Sequence, residues 1–202
     1  MADAAIAEII AAGRRLAGRG LISAHSGNIS CKVGPQAVLI TAAGLDKGAL
    51  TEQDILCIDR QGRPLKTAAG RRPSSESGLH LALYEAYPHI AAIVHAHPPY
   101  ATALGLTGRP WDWQLLEEAA LLLGPVAQVQ RRPAGSAELA AAAVAAAAGV
   151  NALLLAGHGA VSWGESIEQA LRRMEILEHT AQVMLLSRLL PDPQAPDWAG
   201  YN

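Results

Sequence analysis

The chain has few cysteines, few charged residues and no long hydrophobic run. Its two cysteines, Cys31 and Cys57, are too few for a disulfide framework, and neither belongs to a Cys-x-x-Cys pair. Thiol chemistry and an oxidising compartment are therefore unsupported. No stretch approaches about 18 uninterrupted apolar residues, and no basic residues precede an apolar run at the N-terminus, which argues against a membrane span and against export. We expect a cytoplasmic protein.

Charged residues make up only 17% of the 202 residues, and 16 basic against 18 acidic side chains give a net charge of -2. No field of one sign would attract nucleic acid or an anionic membrane, so we expect a small-molecule partner. Half of the residues are hydrophobic, which excludes disorder and favours contacts between subunits. The length suits one core. We predict a single domain over residues 1–202, with a loose, proline-rich tail from about residue 191.

Hydrophobic periodicity predicts both helices and strands. An apolar stripe with helical spacing ends at Gly18-Arg19-Gly20, and it predicts an opening amphipathic helix. Further helices are predicted from residues 73 to 87, after Pro98, and over residues 137–148 and 166–190. Short apolar runs at residues 38–40, 55–58, 90–94 and 152–156 predict strands. The pattern indicates one α/β domain in which helices cover a mostly antiparallel sheet.

Two histidine motifs carry the strongest chemical signal. His95-Ala96-His97 follows an apolar run, and in an extended segment residues two apart point to the same side, so both rings can bind one ion. Gly157-His158-Gly159 offers a third imidazole, and three protein ligands leave a position open for water or substrate, as in a catalytic zinc site. The alternative is that each histidine is a hydrogen-bonded core residue. We expect the remaining histidines to be structural or exposed, namely His25, His80, His89 and His179.

Four motifs together resemble the class II aldolase/adducin family in their order and spacing. They are Gly27-Asn28-Ile29-Ser30, Pro73-Ser74-Ser75-Glu76, His95-Ala96-His97 and Gly157-His158-Gly159. The resemblance covers nearly the whole chain, and no single fragment would be specific alone. It implies a three-layer α/β/α sandwich with a mostly antiparallel central sheet, commonly assembled as a homotetramer.

The resemblance also implies roles for the motif residues. His95, His97 and His158 would bind one Zn²⁺ per subunit, and Glu76 would be the acid/base. The residue chemistry agrees, because a zinc ion with three neutral imidazole ligands keeps its charge and can polarise a substrate carbonyl. Cobalt, manganese and iron also accept imidazole ligands, so other divalent metals stay open.

By the same resemblance, five residues would hold a substrate phosphate, namely Gly27, Asn28, Gly44, Ser74 and Ser75. Ser74 and Ser75 have an alternative role as helix caps, because serine hydroxyls satisfy the free amides at a helix start. Ala43 departs from the family pattern, since many relatives carry a hydroxyl there. Lys47 could replace that contact with a charge, although a lysine in a polar loop is more often solvated.

A second departure concerns the acid/base on the other side of the reaction. Fuculose-phosphate aldolases have a tyrosine in the segment where this chain has Leu115-Leu116-Glu117-Glu118. Glu118 resembles the catalytic glutamate of other branches, including methylthioribulose-phosphate dehydratases, and its alternative role is a surface charge. Tyr201 in the tail is a weaker candidate for a phenol at the site.

The first functional hypothesis is a zinc-dependent aldolase. It would cleave a ketose 1-phosphate, fuculose 1-phosphate-like or a 5-deoxy sugar phosphate, into dihydroxyacetone phosphate and a small aldehyde through an enediolate. The alternative is a methylthioribulose-1-phosphate dehydratase, or a sugar-phosphate epimerase or decarboxylase, of the same fold. A hypothesis of another class is a non-catalytic, adducin-like scaffold, which the intact histidines and Glu76 oppose.

Overall fold

The central element of the fold is a seven-stranded sheet in the order β3-β2-β1-β4-β7-β6-β5. The computed structural model describes residues 2–66, 70–109 and 111–189. Only β5 and β6 pair in parallel, and every other pair is antiparallel. The strands are β1 (Asn28–Gly34), β2 (Ala37–Thr41), β3 (Ile55–Ile58), β4 (Ala92–Ala96), β5 (Val126–Val129), β6 (Ala152–Leu155) and β7 (Gly159–Gly164).

Helices cover both faces of the sheet. One face packs against α1 (Ala2–Gly18), α3 (Pro99–Thr107) and α5 (Ile167–Ser187), and the other packs against α2 (Ser77–Ala86) and α4 (Ala137–Ala146). Each face has its own apolar core. The predicted three-layer α/β/α sandwich with a mostly antiparallel sheet is confirmed. None of the helices in the described ranges combines the length and the apolar character that crossing a membrane would require.

The long helix α5 shows how local sequence signals produce these elements. Ser166 is its N-cap, and the Ser166 hydroxyl accepts a hydrogen bond from the Gln169 amide at 3.1 Å. The Gln169 side chain accepts from the amide of Glu165, one residue before the N-cap, so the predicted capping box is shifted. Arg15 of α1 binds Glu175 of α5 through two contacts of 2.6 Å, which joins the two helices on the same face of the sheet.

Helix α2 begins later than its sequence predicted. It starts at Ser77, with Glu76 as its N-cap, and not at residues 73–75. Ser74 and Ser75 therefore lie before the cap, and the Ser74 hydroxyl accepts instead from the Glu76 amide at 3.3 Å. The predicted loose tail from about residue 191, and Tyr201 within it, lie outside the described residues.

The register of the central strands brings the sequence motifs to one edge of the sheet. Asn28 at the start of β1 pairs with His95 near the end of β4. On the other side of β4, Ala96 pairs with Ala160 at the start of β7. The Gly157-His158 turn that connects β6 and β7 consequently lies beside the end of β4.

Candidate metal centre

Three imidazoles and one carboxylate meet where these strands end. His95 belongs to β4, His97 follows that strand, His158 lies in the β6–β7 turn and Glu76 caps α2. One potential ligand atom from each of the four residues lies within 4.8 Å of the other three. The structure thus brings together every predicted metal ligand and the predicted acid/base.

Glycine allows the two histidine motifs to approach each other. Gly159 begins β7 directly after His158, and a Cβ at this position would lie 2.7 Å from Cδ2 of His97 and even closer to the carbonyl oxygen of Ala96. Such a contact is too short for any side chain. Gly157 has a φ of 69°, in the left-handed region that glycine adopts without strain. Gly159 is therefore needed for the close approach of the two motifs, and Gly157 lets the turn before His158 form without strain.

A backbone hydrogen bond orients the most buried ligand. Nδ1 of His95 lies 2.9 Å from the carbonyl oxygen of Ala160. Because a carbonyl oxygen can only accept, Nδ1 carries the proton, and in the neutral ring Nε2 presents a lone pair. That Nε2 lies 3.2 Å from Nε2 of His97 and 2.9 Å from Oε2 of Glu76. A cation among these electron-rich atoms would relieve their repulsion, so the donor set fits a metal ion.

The carboxylate of Glu76 is buried and held from three sides. It is 6% exposed, and its oxygens lie 2.9 Å from Nε2 of His95 and 3.3 Å from Nε2 of His158. The Asn28 amide donates to it at 3.1 Å. Burial alone would raise the pKa of Glu76, but its interactions with His95, His158 and the Asn28 amide lower this pKa to about 2. Glu76 is consequently ionised near neutral pH.

Two of the three histidines, His97 and His158, are biased toward the neutral form that binds metal. Burial lowers the pKa of His97 to about 4, and the neighbouring imidazoles His95 and His158 add to this shift. The pKa of His158 is lowered by burial and by the charge of His95. Neutral imidazole is the ligand form, so at neutral pH little proton competition opposes a metal. Three nitrogens and a carboxylate oxygen suit zinc and also the other divalent metals of its row.

All five predicted phosphate-binding residues line one cavity beside the cluster of three histidines and Glu76. The cavity has a volume of about 120 Å³ and reaches Glu76 and His97. Its lining includes Gly27, Asn28, Gly44, Ser74 and Ser75. Ser75 and Gly44 are exposed, whereas Ser74 and Asn28 are buried. The sequence motifs therefore converge in space, and their backbone amides and hydroxyls are the donors that an anion requires.

Lys47 lines the same cavity, as the alternative role given to it from the sequence implied. The expectation of a solvated lysine is wrong, because Lys47 is only 1% exposed. Its ammonium group donates to the carbonyl oxygens of His25 at 3.1 Å and Leu45 at 2.6 Å. Arg71, a second basic residue close in sequence to the serine motif, does not line this cavity. It forms an ion pair of 2.7 Å with Asp54 instead.

Glu118 is not part of the histidine–glutamate cluster of its own chain, which consists of Glu76, His95, His97 and His158. It immediately precedes a π-helical turn (Ala119–Leu123), and its carboxylate lies 3.7 Å from Nε2 of His179. Both side chains are about half exposed, at 48% for Glu118 and 57% for His179.

The other histidines outside the motifs are structural or exposed, as expected. His25 and His89 are exposed. His80 is fully buried, and its Nδ1 lies 2.6 Å from the Ser30 hydroxyl.

A second cavity opens on the His158 side of the cluster, and no sequence motif predicted it. It has a volume of about 410 Å³ and is lined by Arg131, Arg132, Gly157 and His158, among others. Within the described ranges, no carboxylate forms an ion pair with Arg131 or Arg132. The two adjacent arginines after β5 were the available signal, but no motif connected them with the histidines.

Comparison with known proteins agrees with this geometry. The Class II Aldolase and Adducin N-terminal domain matches residues 7–185. The methylthioribulose-1-phosphate dehydratase of Methylococcus capsulatus is 36% identical over 184 residues, which cover 86% of this chain and 89% of the relative. That of a Bradyrhizobium strain is 36% identical, with coverages of 91% and 92%.

Solved structures are also similar to this chain over most of its length. The L-fuculose-1-phosphate aldolase of Thermus thermophilus is 32% identical, has a TM-score of 0.80 and is matched over 100% of both chains. A second L-fuculose 1-phosphate aldolase is 30% identical, has a TM-score of 0.82 and is matched over 93% of this chain and 91% of its own. The protein belongs to the class II aldolase and adducin family.

Proposed function

We propose that the protein is a metal-dependent lyase that removes water from a phosphorylated ketose, with methylthioribulose 1-phosphate as the substrate. The observation that carries this proposal is the Glu76 carboxylate, which lies within 3.3 Å of two of the three imidazoles at a cavity suited to phosphate. The relatives from Methylococcus and Bradyrhizobium, both named as dehydratases of this compound, support it. The proposed metal is zinc, one ion per subunit, and the proposed location is the cytoplasm.

The proposed reaction needs a base and an acid at neighbouring carbons. A bound metal ion would polarise the substrate carbonyl. Glu76, ionised near neutral pH, would take the proton from the carbon next to that carbonyl. The hydroxyl on the following carbon leaves as water once an acid protonates it. The carbon–hydrogen and carbon–oxygen bonds break, one carbon–carbon double bond forms, and no oxidant or reductant is needed.

We propose Glu118 as that second acid. Its carboxylate contacts His179 and is absent from the metal cluster of its own chain. Half of its side chain is exposed, and the exposed leucines Leu121 and Leu122 follow in the adjacent turn. We propose that an assembly of several copies covers this surface and brings Glu118 to the site of a neighbouring copy. The homotetramer implied by the family resemblance is the assembly that we propose.

The aldolase is the second candidate. It is favoured by the L-fuculose-1-phosphate aldolase of Thermus thermophilus, which matches this chain over its whole length. The two reactions differ in the proton that is removed. In aldol cleavage the base takes the proton of a hydroxyl, and a carbon–carbon bond breaks. The segment around Glu118 lacks the tyrosine expected for fuculose-phosphate aldolases, and this favours the dehydratase.

A substrate panel with product identification by mass distinguishes these reactions. The zinc-loaded protein is incubated with methylthioribulose 1-phosphate and, separately, with dihydroxyacetone phosphate and a set of short aldehydes. The dehydratase would give a product lighter by one water only in the first reaction. Condensation in the second would establish the aldolase. Glu76→Gln is the control, and we expect it to lower turnover by roughly a hundred-fold to ten-thousand-fold.

A protein that binds zinc but turns over neither substrate would contradict both candidates. The epimerase and decarboxylase alternatives would then be tested with other sugar phosphates. The scaffold hypothesis makes a different prediction, because His97→Ala would leave the role of a scaffold intact while removing the metal and the turnover of an enzyme.

A further inference from the structure

Lys47 is a fully buried cation. It lies in a short 3₁₀ turn (Lys47–Ala49) and is 1% exposed. An ammonium group has three donors, and two of them reach the carbonyl oxygens of His25 and Leu45. Among the residues that the structure describes, no carboxylate lies within ion-pair distance of it. The neighbouring Asp46 accepts instead from the Gly48 amide at 2.8 Å.

Such a residue is costly for the folded state. Lysine is almost never fully buried unless it is paired, since an ammonium loses its hydration on burial. Burial lowers the pKa of Lys47, and the charge of Asp46 opposes this shift only in part. A negative charge supplied from outside the chain would compensate the cost.

The cavity that Lys47 lines is built for an anion. Gly27, Gly44, Ser74 and Ser75 lie in its wall and offer amide and hydroxyl donors. Gly44 has a φ of 71°, and no atom lies within 4 Å of the place where its Cβ would be, so the space beside its Cα is open. Among the lysines and arginines of the described ranges, Lys47 alone lines this cavity, and Ala43 contributes no hydrogen-bond donor from its side chain.

Neighbouring elements hold Lys47 in this position. Gly13 of α1 packs so closely against the Lys47 carbonyl group that a Cβ on Gly13 would overlap with it. The two hydrogen bonds of the ammonium group tie Lys47 to the 21–27 loop and to the 42–46 loop, which form two walls of the cavity. The cation is therefore positioned before any ligand arrives.

We propose that Lys47 is the cationic ligand of the substrate's phosphate group and neutralises part of its charge inside this cavity. The inference rests on the proposed function, in which the substrate is a phosphorylated ketose. Glu76 lies on the metal side of the same cavity, and its negative charge repels phosphate oxygens. The phosphate consequently occupies the end formed by Lys47, Gly44 and the serines, and the sugar extends toward the histidines.

The three lysines of the chain allow a direct test by NMR. Lysine side chains are isotope-labelled in the zinc-loaded protein, and the signals of Lys32, Lys47 and Lys66 are assigned with Lys32→Arg and Lys66→Arg. Inorganic phosphate is then titrated into the protein. We expect the Lys47 side-chain signal to shift and saturate, while the signals of Lys32 and Lys66 stay in place. A phosphate titration that leaves the Lys47 signal unmoved would overturn the inference.

Variants provide the second measurement. Lys47→Met should weaken phosphate binding by about ten-fold or more, because a charge-assisted hydrogen bond is lost, and should raise KM for the phosphorylated ketose more than it lowers kcat. The matched control, Lys66→Met, removes an exposed lysine outside the cavity and should leave both unchanged. Unchanged phosphate affinity in a folded Lys47→Met protein would overturn the inference about Lys47 and leave the proposed function standing. A wild-type protein that binds no phosphate but turns over an unphosphorylated sugar overturns the proposed substrate class as well.

Discussion

His95 and Ala160 are joined by a hydrogen bond of 2.9 Å from ring nitrogen Nδ1 to the backbone carbonyl oxygen. The two residues lie on the adjacent strands β4 and β7. The bond fixes the tautomer and the orientation of a ring that has no exposure to solvent, and it directs Nε2 toward the metal cluster. The predicted ligand His95 is thus oriented by a backbone carbonyl group of the sheet.

Removal of this ligand should abolish tight metal binding. We expect His95→Ala to retain substantially less than one zinc per subunit after dialysis against a weak chelator, because only two imidazoles would remain. His89→Ala is the matched control, since His89 is exposed and absent from the cluster. Metal content is measured by elemental analysis of both variants. A His95→Ala protein that keeps the wild-type metal content would show that the cluster is not the metal site.

The proposed role of Glu118 in a neighbouring copy predicts complementation. Glu76→Gln and Glu118→Gln should each be inactive, and Glu118→Gln should keep its metal because Glu118 is outside the cluster. If the two variants are mixed, dissociated and reassembled, sites with both native carboxylates form again. Random assembly would restore at most about one quarter of the wild-type activity.

Complementation is measured as turnover before and after reassembly, with each variant reassembled alone as the control. Activity that fails to return, although mixed oligomers form, would exclude a site shared between copies. Full activity of Glu118→Gln alone would remove Glu118 from the reaction.

The histidine cluster was predictable from sequence because its signals are local. His95-Ala96-His97 adjoins an apolar run that forms β4, and the spacing of two residues predicts that both rings lie on one side, although the strand itself ends at Ala96. The strands β1, β5 and β7 were not predicted. In β1 and β7 polar residues such as Ser30 and Ser162 interrupt the apolar pattern, yet both are fully buried. Their hydroxyls are satisfied by His80 and by the Ala170 carbonyl oxygen, partners that no local pattern reveals.

The burial of Lys47 could not be predicted for a related reason. Its sequence neighbours Asp46 and Gly48 indicate a polar turn, and polar turns are usually solvated. The burial depends on Gly13, about thirty residues earlier, whose missing side chain lets α1 approach the turn. The resemblance located the cavity through its motifs, and the sequence offered Lys47 as one alternative for a charge there, but the burial of Lys47 depends on the packing of α1.

The metal-free protein should lose stability in mild acid because of His80. Burial lowers the pKa of His80 to about 3, and the charge of His95 adds to this shift. Below pH 6.5 the unfolded chain binds a proton that the folded chain refuses, so the stability is complete above pH 6.5 and decreases as the pH falls toward 3. The slope from this one group is at most about 1.4 kcal/mol per pH unit.

The measurement is urea unfolding of the metal-free protein between pH 7 and pH 5. His80→Asn is the comparison, since an asparagine amide can replace Nδ1 as the partner of Ser30 without titrating. We expect the wild-type protein to lose up to about 2 kcal/mol more than this variant from pH 6.5 to pH 5. Parallel curves for the two proteins would contradict the assignment to His80.

Substitution of Gly159 should disturb both the fold and the metal centre. A Cβ at this position would lie 2.7 Å from Cδ2 of His97 and would overlap with the Ala96 carbonyl. Because Ala96 belongs to β4 and Gly159 to β7, the two strands must separate at the point where they align His97 and His158. We expect Gly159→Ala to lower the free energy of unfolding by about 1–3 kcal/mol and to weaken zinc binding.

Gly18→Ala is the matched control for Gly159→Ala. Gly18 is the last residue of α1, and no atom lies within 4 Å of its missing Cβ, so alanine fits there without contact. It should leave zinc affinity unchanged and leave stability unchanged or higher by up to about 1 kcal/mol, since alanine restricts the unfolded chain. Urea unfolding of the metal-free proteins gives the stability, and competition with a chelator gives the zinc affinity. If Gly159→Ala matches Gly18→Ala in both measurements, the close approach of β4 and β7 is not what positions the histidines. Weaker zinc binding with unchanged stability would instead confine the effect to His97, because the ring can move while the strands remain paired.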